Sequence, residues 1–272
     1  MNQKLLILSL VGPLFFLSTS SGIAQLDRKS QQIAQALPIN AVQIKKLIWK
    51  KKSPKGYCEY QVEYPKVRGL SDKRVESKIN EDIQEKLLIS DKDIAECDRD
   101  NAPDSVESQE PSVREEVGYQ VSFNGKDILS IEYERTNFFT GSVYGQPVQG
   151  ITINTKTGKL YEYKDLFKKE SGYVSKMNKL IYKKIKNPKN AEYARNLTKQ
   201  ENEDLANTFK DPISPFKKNE RKCYSFSLRG DKLVILDIFN THALRAIQVE
   251  FEPSEIKNLI DSKGPLHQII NQ

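Results

Sequence analysis

Histidine is scarce in this chain, and its scarcity limits the chemistry that the chain can perform. The only histidines are His242 and His267. A Ser-His-Asp or Cys-His catalytic site must use one of them, yet no Gly-x-Ser-x-Gly motif is present. Neither a His-Glu-x-x-His motif nor a Cys-x-x-Cys pair occurs. We therefore expect no nucleophilic hydrolysis, no metal and no cofactor.

Glu132 and Glu134, which flank Tyr133, are the candidates for paired-carboxylate chemistry on a glycan. Two carboxyl groups can cleave a glycosidic bond when burial raises the pKa of one of them. Both residues alternate away from the apolar side of their predicted strand, so we expect them to lie in water. A glycan-acting enzyme that uses such carboxylates is thus an alternative, and a non-catalytic protein is the expectation.

An aromatic, glycine-containing segment between two predicted hairpins is the candidate binding surface. Residues 137–149 read Asn-Phe-Phe-Thr-Gly-Ser-Val-Tyr-Gly-Gln-Pro-Val-Gln. Aromatic rings are typical anchors of protein interfaces and can also stack on sugars, and the amides beside them supply hydrogen bonds. The alternative is that the two phenylalanines fold back and cover the core. The expected binding residues are Asn137, Phe138, Phe139, Tyr144, Gln146 and Gln149.

Charge is distributed unevenly along the chain. Residues 43–55 and 176–189 each hold six lysines and no acid, whereas residues 91–116 hold ten acids and three bases. The second lysine-rich segment belongs to a predicted helix, on which four lysines lie opposite the apolar stripe. They could bind a polyanion such as an anionic wall polymer or a lipid headgroup, and the alternative is a solvated face. The four are Lys176, Lys179, Lys183 and Lys186.

The N-terminus has the features of a signal peptide. Lys4 precedes an apolar run over residues 5–17, and Gly22-Ile23-Ala24 fits a small-residue cleavage pattern. The run falls short of the roughly 20 apolar residues of a membrane-spanning helix, although a retained anchor is an alternative. We expect cleavage after residue 24 and a periplasmic or extracellular protein, for which nucleic acid is not an expected partner. Removing Lys4 lowers the formal net charge from +7 to +6.

Apolar residues that recur at every second position predict antiparallel hairpins. The alternation covers residues 58–64, 119–123 and 129–133, and Asn124-Gly125 predicts the turn between the last two strands. Thr155 to Gly158 predicts a second turn. Arg229-Gly230-Asp231 invites an adhesion interpretation, but glycine and aspartate favour turns for backbone reasons, and it is predicted to be a hairpin turn.

Helices and loops complete the predicted organisation. Apolar residues every three to four positions predict helices over 75–87, after a cap at Ser71 or Asp72, and over 172–187. The fold class is α+β, with antiparallel hairpins packed against a few helices in two sub-domains. The expected segments are a signal peptide (1–24), a polar leader (25–42), a small module ending in an acidic loop (43–112), a larger module (113–264) and a tail (265–272).

Three cysteines allow one disulfide in an oxidising compartment. We favour Cys58 with Cys97, which would tie the first alternating strand to the acidic loop. Cys223 would then be a buried thiol at the start of a late strand. Three free thiols are the alternative, because spacing alone does not fix a pairing.

Several of these motifs resemble a family of bacterial extracytoplasmic modules. The family forms the ectodomains of RsiV-type, lysozyme-sensing anti-sigma factors and also occurs beside a peptidoglycan deacetylase domain. The resemblance covers about residues 55–262. It departs from the family where Thr140 to Gly145 lacks the usual second glycine and histidine, and where no cytoplasmic segment precedes the apolar run. The matching stretches are 64–72, Ile79-Asn80, 129–131, 138–141, 154–159, 165–167, 255–256 and 259–260.

The resemblance implies an exported, non-catalytic binding protein of the bacterial cell envelope. It would recognise a protein partner, such as a lysozyme-like hydrolase, through residues 137–149. Binding of peptidoglycan or of an anionic wall polymer is the alternative. The net charge would oppose long-range attraction to a basic lysozyme, whereas the acidic residues 91–116 could reverse this locally.

Overall fold

The computed structural model describes residues 40–100, 113–139, 142–145, 148–185, 224–236 and 248–270. At positions 144, 182 and 185 only the backbone is described. The predicted α+β class is confirmed. The signal peptide, most of the polar leader, Cys223 and His242 lie outside the described residues. None of the described helices is both long enough and apolar enough to span a membrane.

The strands fall into two sheets, and the helices lie mainly between strands in the sequence. The strands are β1 (Gln43–Lys52), β2 (Cys58–Arg68), β3 (Val113–Gly125), β4 (Ile128–Phe139), β5 (Ser142–Gly145), β6 (Gln149–Asn154), β7 (Ser225–Arg229), β8 (Lys232–Leu236) and β9 (Val249–Phe251). The helices are α1 (Lys73–Leu87), α2 (Asp91–Asp100), α3 (Tyr173–Ile185), α4 (Pro253–Ile256) and α5 (Pro265–Ile270), with 3-10 turns at Tyr163–Leu166 and Lys169–Ser171.

The larger sheet has the order β1-β2-β3-β4-β5, and β6 pairs with the first half of β4. All of its pairings are antiparallel except that of β2 with β3, where Cys58–Val62 runs parallel to Val113–Val117. This parallel pairing joins strands on either side of the predicted boundary at residue 112. The division into two modules remains a prediction, while β7, β8 and β9 form a separate antiparallel sheet.

Helix α1 covers one side of the larger sheet. Asp72 caps it by accepting from the backbone N–H groups of Arg74 and Val75, as predicted. Its buried residues Ile79, Ile83 and Leu87 pack with apolar residues of β2, β3, β4 and β6. Asn80 on the same helix accepts from the backbone N–H of Val67 at 2.8 Å and donates to its carbonyl at 3.0 Å. This pair of bonds fixes α1 against the end of β2.

The opposite side of β4 packs against the second sheet. Ile128 points away from Leu129, because neighbouring strand residues face opposite sides, and it joins a core built from β7, β8, β9, α3, α4 and α5. Both sides of β4 are therefore buried from Ile128 to Tyr133. Gly150 of β6 allows close approach to β7, since a Cβ there would lie 1.9 Å from the carbonyl oxygen of Phe226.

The predicted acidic loop over residues 91–112 is wrong in its first part, where α2 forms. Ile94 is buried on the helix, and Cys97 forms a disulfide with Cys58, which is the favoured pairing. Asp98 accepts from the backbone N–H groups of Lys55 and Tyr57 at 2.7 and 3.3 Å. These contacts hold α2 against the β1–β2 turn, so tertiary contacts rather than a broad apolar stripe stabilise it.

Two further segments differ from the prediction. The β3–β4 turn lies at Lys126-Asp127, which both have positive φ angles as in a type I′ turn, whereas Asn124 exchanges hydrogen bonds with the backbone of Val42. The expected tail from residue 265 instead begins with α5, in which Leu266 and Ile269 are buried in the core.

Candidate functional site

The aromatic segment is the end of a hairpin rather than a loop. β4 continues to Phe139, and β5 pairs with it so that Phe138 lies opposite Val143. Thr140 and Gly141 between the strands lie outside the described residues. The prediction of a loop is wrong here because Phe, Thr, Val and Tyr favour extended strands. We call residues 136–145 the β4–β5 hairpin.

Phe138 is part of a row of side chains on the sheet. The guanidinium of Arg114, its partner on β3, lies 4.8 Å from the ring centroid, which is a favourable cation–π distance. On the other side of Phe138, Val143 is 62% exposed. Arg114 also donates to Glu116 at 2.5 Å, so its guanidinium is held over the ring by two contacts. The sequence offered no signal for Arg114, because only the β3–β4 register brings it to Phe138.

The row extends across five strands on the side of the sheet that faces β7. It continues towards β1 because Arg114 pairs with Glu59, and Glu59 with Lys52. The next row is Lys50, Gln61, Glu116, Thr136 and Gly145. Every residue in both rows is exposed or half-buried. The hairpin is therefore the aromatic end of an open, mixed-charge sheet surface.

Phe139 faces the other side of the sheet. Its ring is 41% exposed, while that of Phe138 is half-buried. Neither ring belongs to the hydrophobic cores that the described residues form. In the described part of the chain, the alternative that both rings cover the core is therefore wrong. A partner that contacts Phe138 would approach from the opposite side to one that contacts Phe139.

The predicted polar binding residues are not equivalent. The side-chain oxygen of Asn137 is buried and accepts no hydrogen bond from the residues that the structure describes, whereas the oxygen of Gln149 accepts from the hydroxyl of Tyr133 at 2.7 Å. Tyr144 lies opposite Asn137 on β5, and only its backbone is described. Gln146 lies outside the described residues. Of the polar groups that the structure describes, Gln149 is thus already engaged within the fold.

The lysines of α3 form a separate surface. Lys176, Lys179 and Lys183 are exposed, and no ion pair joins any of the three to a carboxylate within the described residues. Lys184 differs, because it donates to Glu255 at 2.7 Å and lies 4.9 Å from the ring centroid of Phe251. The fourth predicted lysine, Lys186, lies outside the described residues.

Glu132 is buried, so the expectation that it lies in water is wrong. Its side chain is 1% exposed, because the β7–β9 sheet covers this side of β4. One carboxylate oxygen accepts from the Ser227 hydroxyl and from Arg229 Nε, each at 2.6 Å. The other accepts from Gln120 Nε2 at 2.6 Å and from Arg229 Nη2 at 2.7 Å. Four bonds occupy all the lone pairs of the carboxylate.

These bonds determine the charge of Glu132. Burial alone would raise the pKa of this carboxyl, but the hydrogen bonds from Arg229, Ser227 and Gln120 outweigh burial, and its pKa lies below the usual value. An ionised, fully bonded carboxylate is typical of a structural ion pair rather than of a general acid. Glu134, by contrast, is exposed as a residue, although partial burial of its carboxyl group raises the pKa of that group.

Neighbouring hydroxyls extend this polar contact between the two sheets. Ser130 accepts from the backbone N–H of Leu228 at 3.0 Å and lies 3.0 Å from the hydroxyl of Thr152. Gly150 N–H donates to the hydroxyl of Ser225 at 2.7 Å. We call Glu132, Ser130, Thr152, Ser227, Arg229 and their partners the inter-sheet junction. It links the two sheets by specific hydrogen bonds.

The Arg229-Gly230-Asp231 sequence forms the β7–β8 turn, as predicted. Gly230 has a φ angle of +62°, a conformation that glycine adopts without strain. Because the guanidinium of Arg229 binds Glu132 and also Gln248 at 2.7 Å, it is not presented for adhesion. Within the described residues no cluster of three or more His, Cys, Asp or Glu side chains could hold a metal ion.

Comparisons with known proteins support the fold. A family model described as "Deacetylase PdaC" matches residues 51–145. A crystal structure of a DUF3298 family member from Bacteroides fragilis is 10% identical, with a TM-score of 0.56, over 86% of this chain and 100% of that one. A DUF3298 family protein from Pseudomonas aeruginosa is 11% identical, with a TM-score of 0.51, over 82% and 95%. No curated protein matches the chain. At these identities the two structures show a shared fold alone.

Proposed function

We propose that this chain is an exported, non-catalytic binding protein of the bacterial cell envelope that recognises a protein partner through the β4–β5 hairpin. The matched family model covers both strands of the hairpin and ends at Gly145. The resemblance to lysozyme-sensing ectodomains makes a lysozyme-like hydrolase the partner to test first. The observation that carries the proposal is the row in which Arg114, Phe138 and Val143 lie side by side on an open sheet surface.

This row has the chemistry of an interface anchor. Aromatic residues, phenylalanine among them, and arginine are enriched in protein interfaces. The cross-strand contacts fix Phe138 and Arg114 before any partner arrives, so little side-chain entropy would be lost on binding. The exposed Val143 adds apolar surface beside the ring. The arrangement is suited to recognising a surface rather than to transforming a small substrate.

A non-catalytic role also agrees with the state of Glu132. Glu132, one of the two candidates for acid–base chemistry, is saturated by donors from Arg229, Ser227 and Gln120. The matched segment contains no histidine, since His242 and His267 lie beyond it. We therefore do not propose deacetylation for this chain.

Calorimetric titration of the purified protein against a panel of lysozymes at physiological salt tests the proposal. Phe138→Ala and Phe139→Ala should be compared separately, because the two rings lie on opposite sides of the sheet. We expect Phe138→Ala to weaken binding by about 2 kcal/mol or more if the ring is an anchor. Val174→Ala is the matched control, since Val174 is 40% exposed on α3, far in sequence from the hairpin.

The outcomes separate the alternatives. Binding that Phe138→Ala weakens, with the thermal midpoint unchanged, supports this side of the hairpin. Weaker binding with Phe139→Ala alone would place the binding site on the opposite side of the sheet. Saturable binding that neither change affects would refute the hairpin as the site, and absence of heat with every lysozyme would refute this class of partner.

Binding of an anionic wall polymer is a second candidate, supported by three exposed lysines of α3 that form no ion pair with a described carboxylate. Co-sedimentation with wall material should then decrease steeply as salt is raised, because exposed charges are screened. Lys176→Ala/Lys179→Ala/Lys183→Ala should abolish it. Sedimentation that is insensitive to salt, or that survives the triple change, would refute this surface.

A further inference from the structure

The outer edge of β1 is open among the described strands. β1 is the first strand in the order of the larger sheet and pairs only with β2 among the described residues. Its other edge therefore presents backbone N–H and C=O groups that no described strand satisfies. Such edges bind extended segments by adding a strand to the sheet. Four strand spacings, about 19 Å, separate β1 from β5, so this edge is distinct from the β4–β5 hairpin.

The side chains of β1 define the charge of a matching segment. The strand holds five lysines and no acidic residue: Lys45, Lys46, Lys50, Lys51 and Lys52. Lys46 pairs with Glu63 and Lys51 with Asp91, each at 2.5 Å. No ion pair engages Lys45, Lys50 or Lys52 within the described residues. The edge therefore retains three cationic groups that a partner could neutralise.

An exposed apolar residue lies at the centre of this cationic strand. Ile48 is 55% exposed, and it shares one side of the strand with Lys50 and Lys52, two and four positions further along. A strand added at this edge would place a residue opposite each of the three. The complementary pattern is one apolar and two acidic residues at alternate positions.

The same charges exclude a second copy of this chain as the occupant. Pairing β1 with β1 in either direction would place lysines beside lysines, and like charges on adjacent strands are destabilising. Lysines on an edge strand are a known protection against self-association. They do not oppose an acidic strand. We propose that the β1 edge binds an extended acidic segment of a partner protein, with one apolar and two acidic residues at alternate positions, as an added strand.

The test uses the purified, isotope-labelled protein and the peptide Thr-Glu-Thr-Glu-Thr-Val-Thr, which matches Lys52, Lys50 and Ile48 when it runs antiparallel to β1, followed by NMR titration and amide exchange. We expect shifts centred on β1 and slower exchange of its outward amides. Two control peptides separate the contributions: one with lysines in place of the glutamates, and one N-methylated at alternate residues so that it cannot pair. Each should bind at least about tenfold more weakly.

A matched pair of variants tests the location. Lys50→Ala/Lys52→Ala should weaken the acidic peptide about tenfold, whereas Lys176→Ala/Lys179→Ala, with the same change in charge, should alter it less than about twofold. Equal weakening by both variants would show diffuse electrostatic attraction and overturn the proposal. Undiminished binding of the N-methylated peptide, or shifts that avoid β1, would overturn it as well. None of these outcomes depends on lysozyme binding at the hairpin.

Discussion

Replacing Arg229 with alanine should strongly destabilise the fold, because it leaves a buried charge without its main partner. The change removes the two hydrogen bonds of 2.6 and 2.7 Å to the carboxylate of Glu132, whose side chain is 1% exposed. Breaking a buried ion pair from one side costs about 3–5 kcal/mol. The remaining donors, Ser227 and Gln120, place the expected loss near the lower end, at about 3 kcal/mol, equivalent to a decrease in Tm of about 6–12 °C.

The loss should depend on pH, with a sign that follows from Glu132. In the unchanged protein the pKa of Glu132 is depressed on folding, so its contribution is present above the unfolded pKa of about 4.3 and is lost as the pH falls through the folded pKa. Without Arg229, burial dominates and should raise that pKa above the unfolded value. The variant is then penalised at neutral pH and relieved as Glu132 protonates. The stability difference should therefore shrink between pH 7 and about pH 4.

Urea denaturation at both pH values measures this difference. Arg114→Ala is the matched control, because Arg114 is 52% exposed and pairs with a neighbouring residue on the surface; it should cost no more than about 1 kcal/mol. Glu132→Gln/Arg229→Ala should recover part of the loss at pH 7. A loss below about 1 kcal/mol, or one that does not change with pH, would refute the account of Glu132 as a charge neutralised by Arg229.

Three other changes test separate contacts by denaturation. Gly150→Ala should lower the free energy of unfolding by about 3 kcal/mol or more, because its Cβ would clash with the backbone of β7. Gly118→Ala, whose Cβ would meet nothing within 4 Å, is the control and should be neutral or slightly stabilising. Equal effects of the two changes would contradict the close approach of β6 to β7. Cys58→Ser/Cys97→Ser should cost about 2–4 kcal/mol, and reducing agent should destabilise the original protein but not the variant. Asn80→Ala should cost about 1–3 kcal/mol by leaving buried backbone groups of β2 unpaired, and no loss would show that those bonds are dispensable.

The sequence best predicts those elements that bury a single apolar side against the core. Alternation identifies β2, β3 and β4, and a four-residue period identifies α1, because a single apolar side or stripe faces the core. Glu132 was mispredicted for the same reason. Polar residues at alternate positions indicate water only where nothing covers them, and the β7–β9 sheet covers β4. Whether a second sheet covers a strand depends on tertiary packing, which the local sequence pattern does not reveal.

The sequence pattern contains no usable signal for two elements, β1 and α2. β1 has lysines on both sides and little alternation, because an edge strand with an open side does not need an apolar face. α2 offers only Ile94 and Cys97 as apolar contacts, and it depends on the disulfide and on Asp98. The cation–π pair in the candidate site was equally hidden, since it follows from the β3–β4 register.

The turn between β3 and β4 shows how context overrides a strong local preference. Asn-Gly is the most favourable two-residue turn, yet the chain turns at Lys126-Asp127. Asn124 is instead used to bind the backbone of Val42, which ties the start of the described chain to the sheet. A long-range contact has thus displaced the turn by two residues.

The inter-sheet junction also affects how the chain can assemble over time. β7 follows β6 by 70 residues of sequence, so the larger sheet can complete its pairings while the β7–β9 sheet is still unformed. At that stage the uncovered side of β4 and β6 presents Ser130, Glu132 and Thr152, which water can solvate. A wholly apolar side would attract other unfinished chains. Placing hydroxyls and an ion pair where the sheets meet lets the second half of the protein dock late and makes the intermediate less adhesive than a wholly apolar side would.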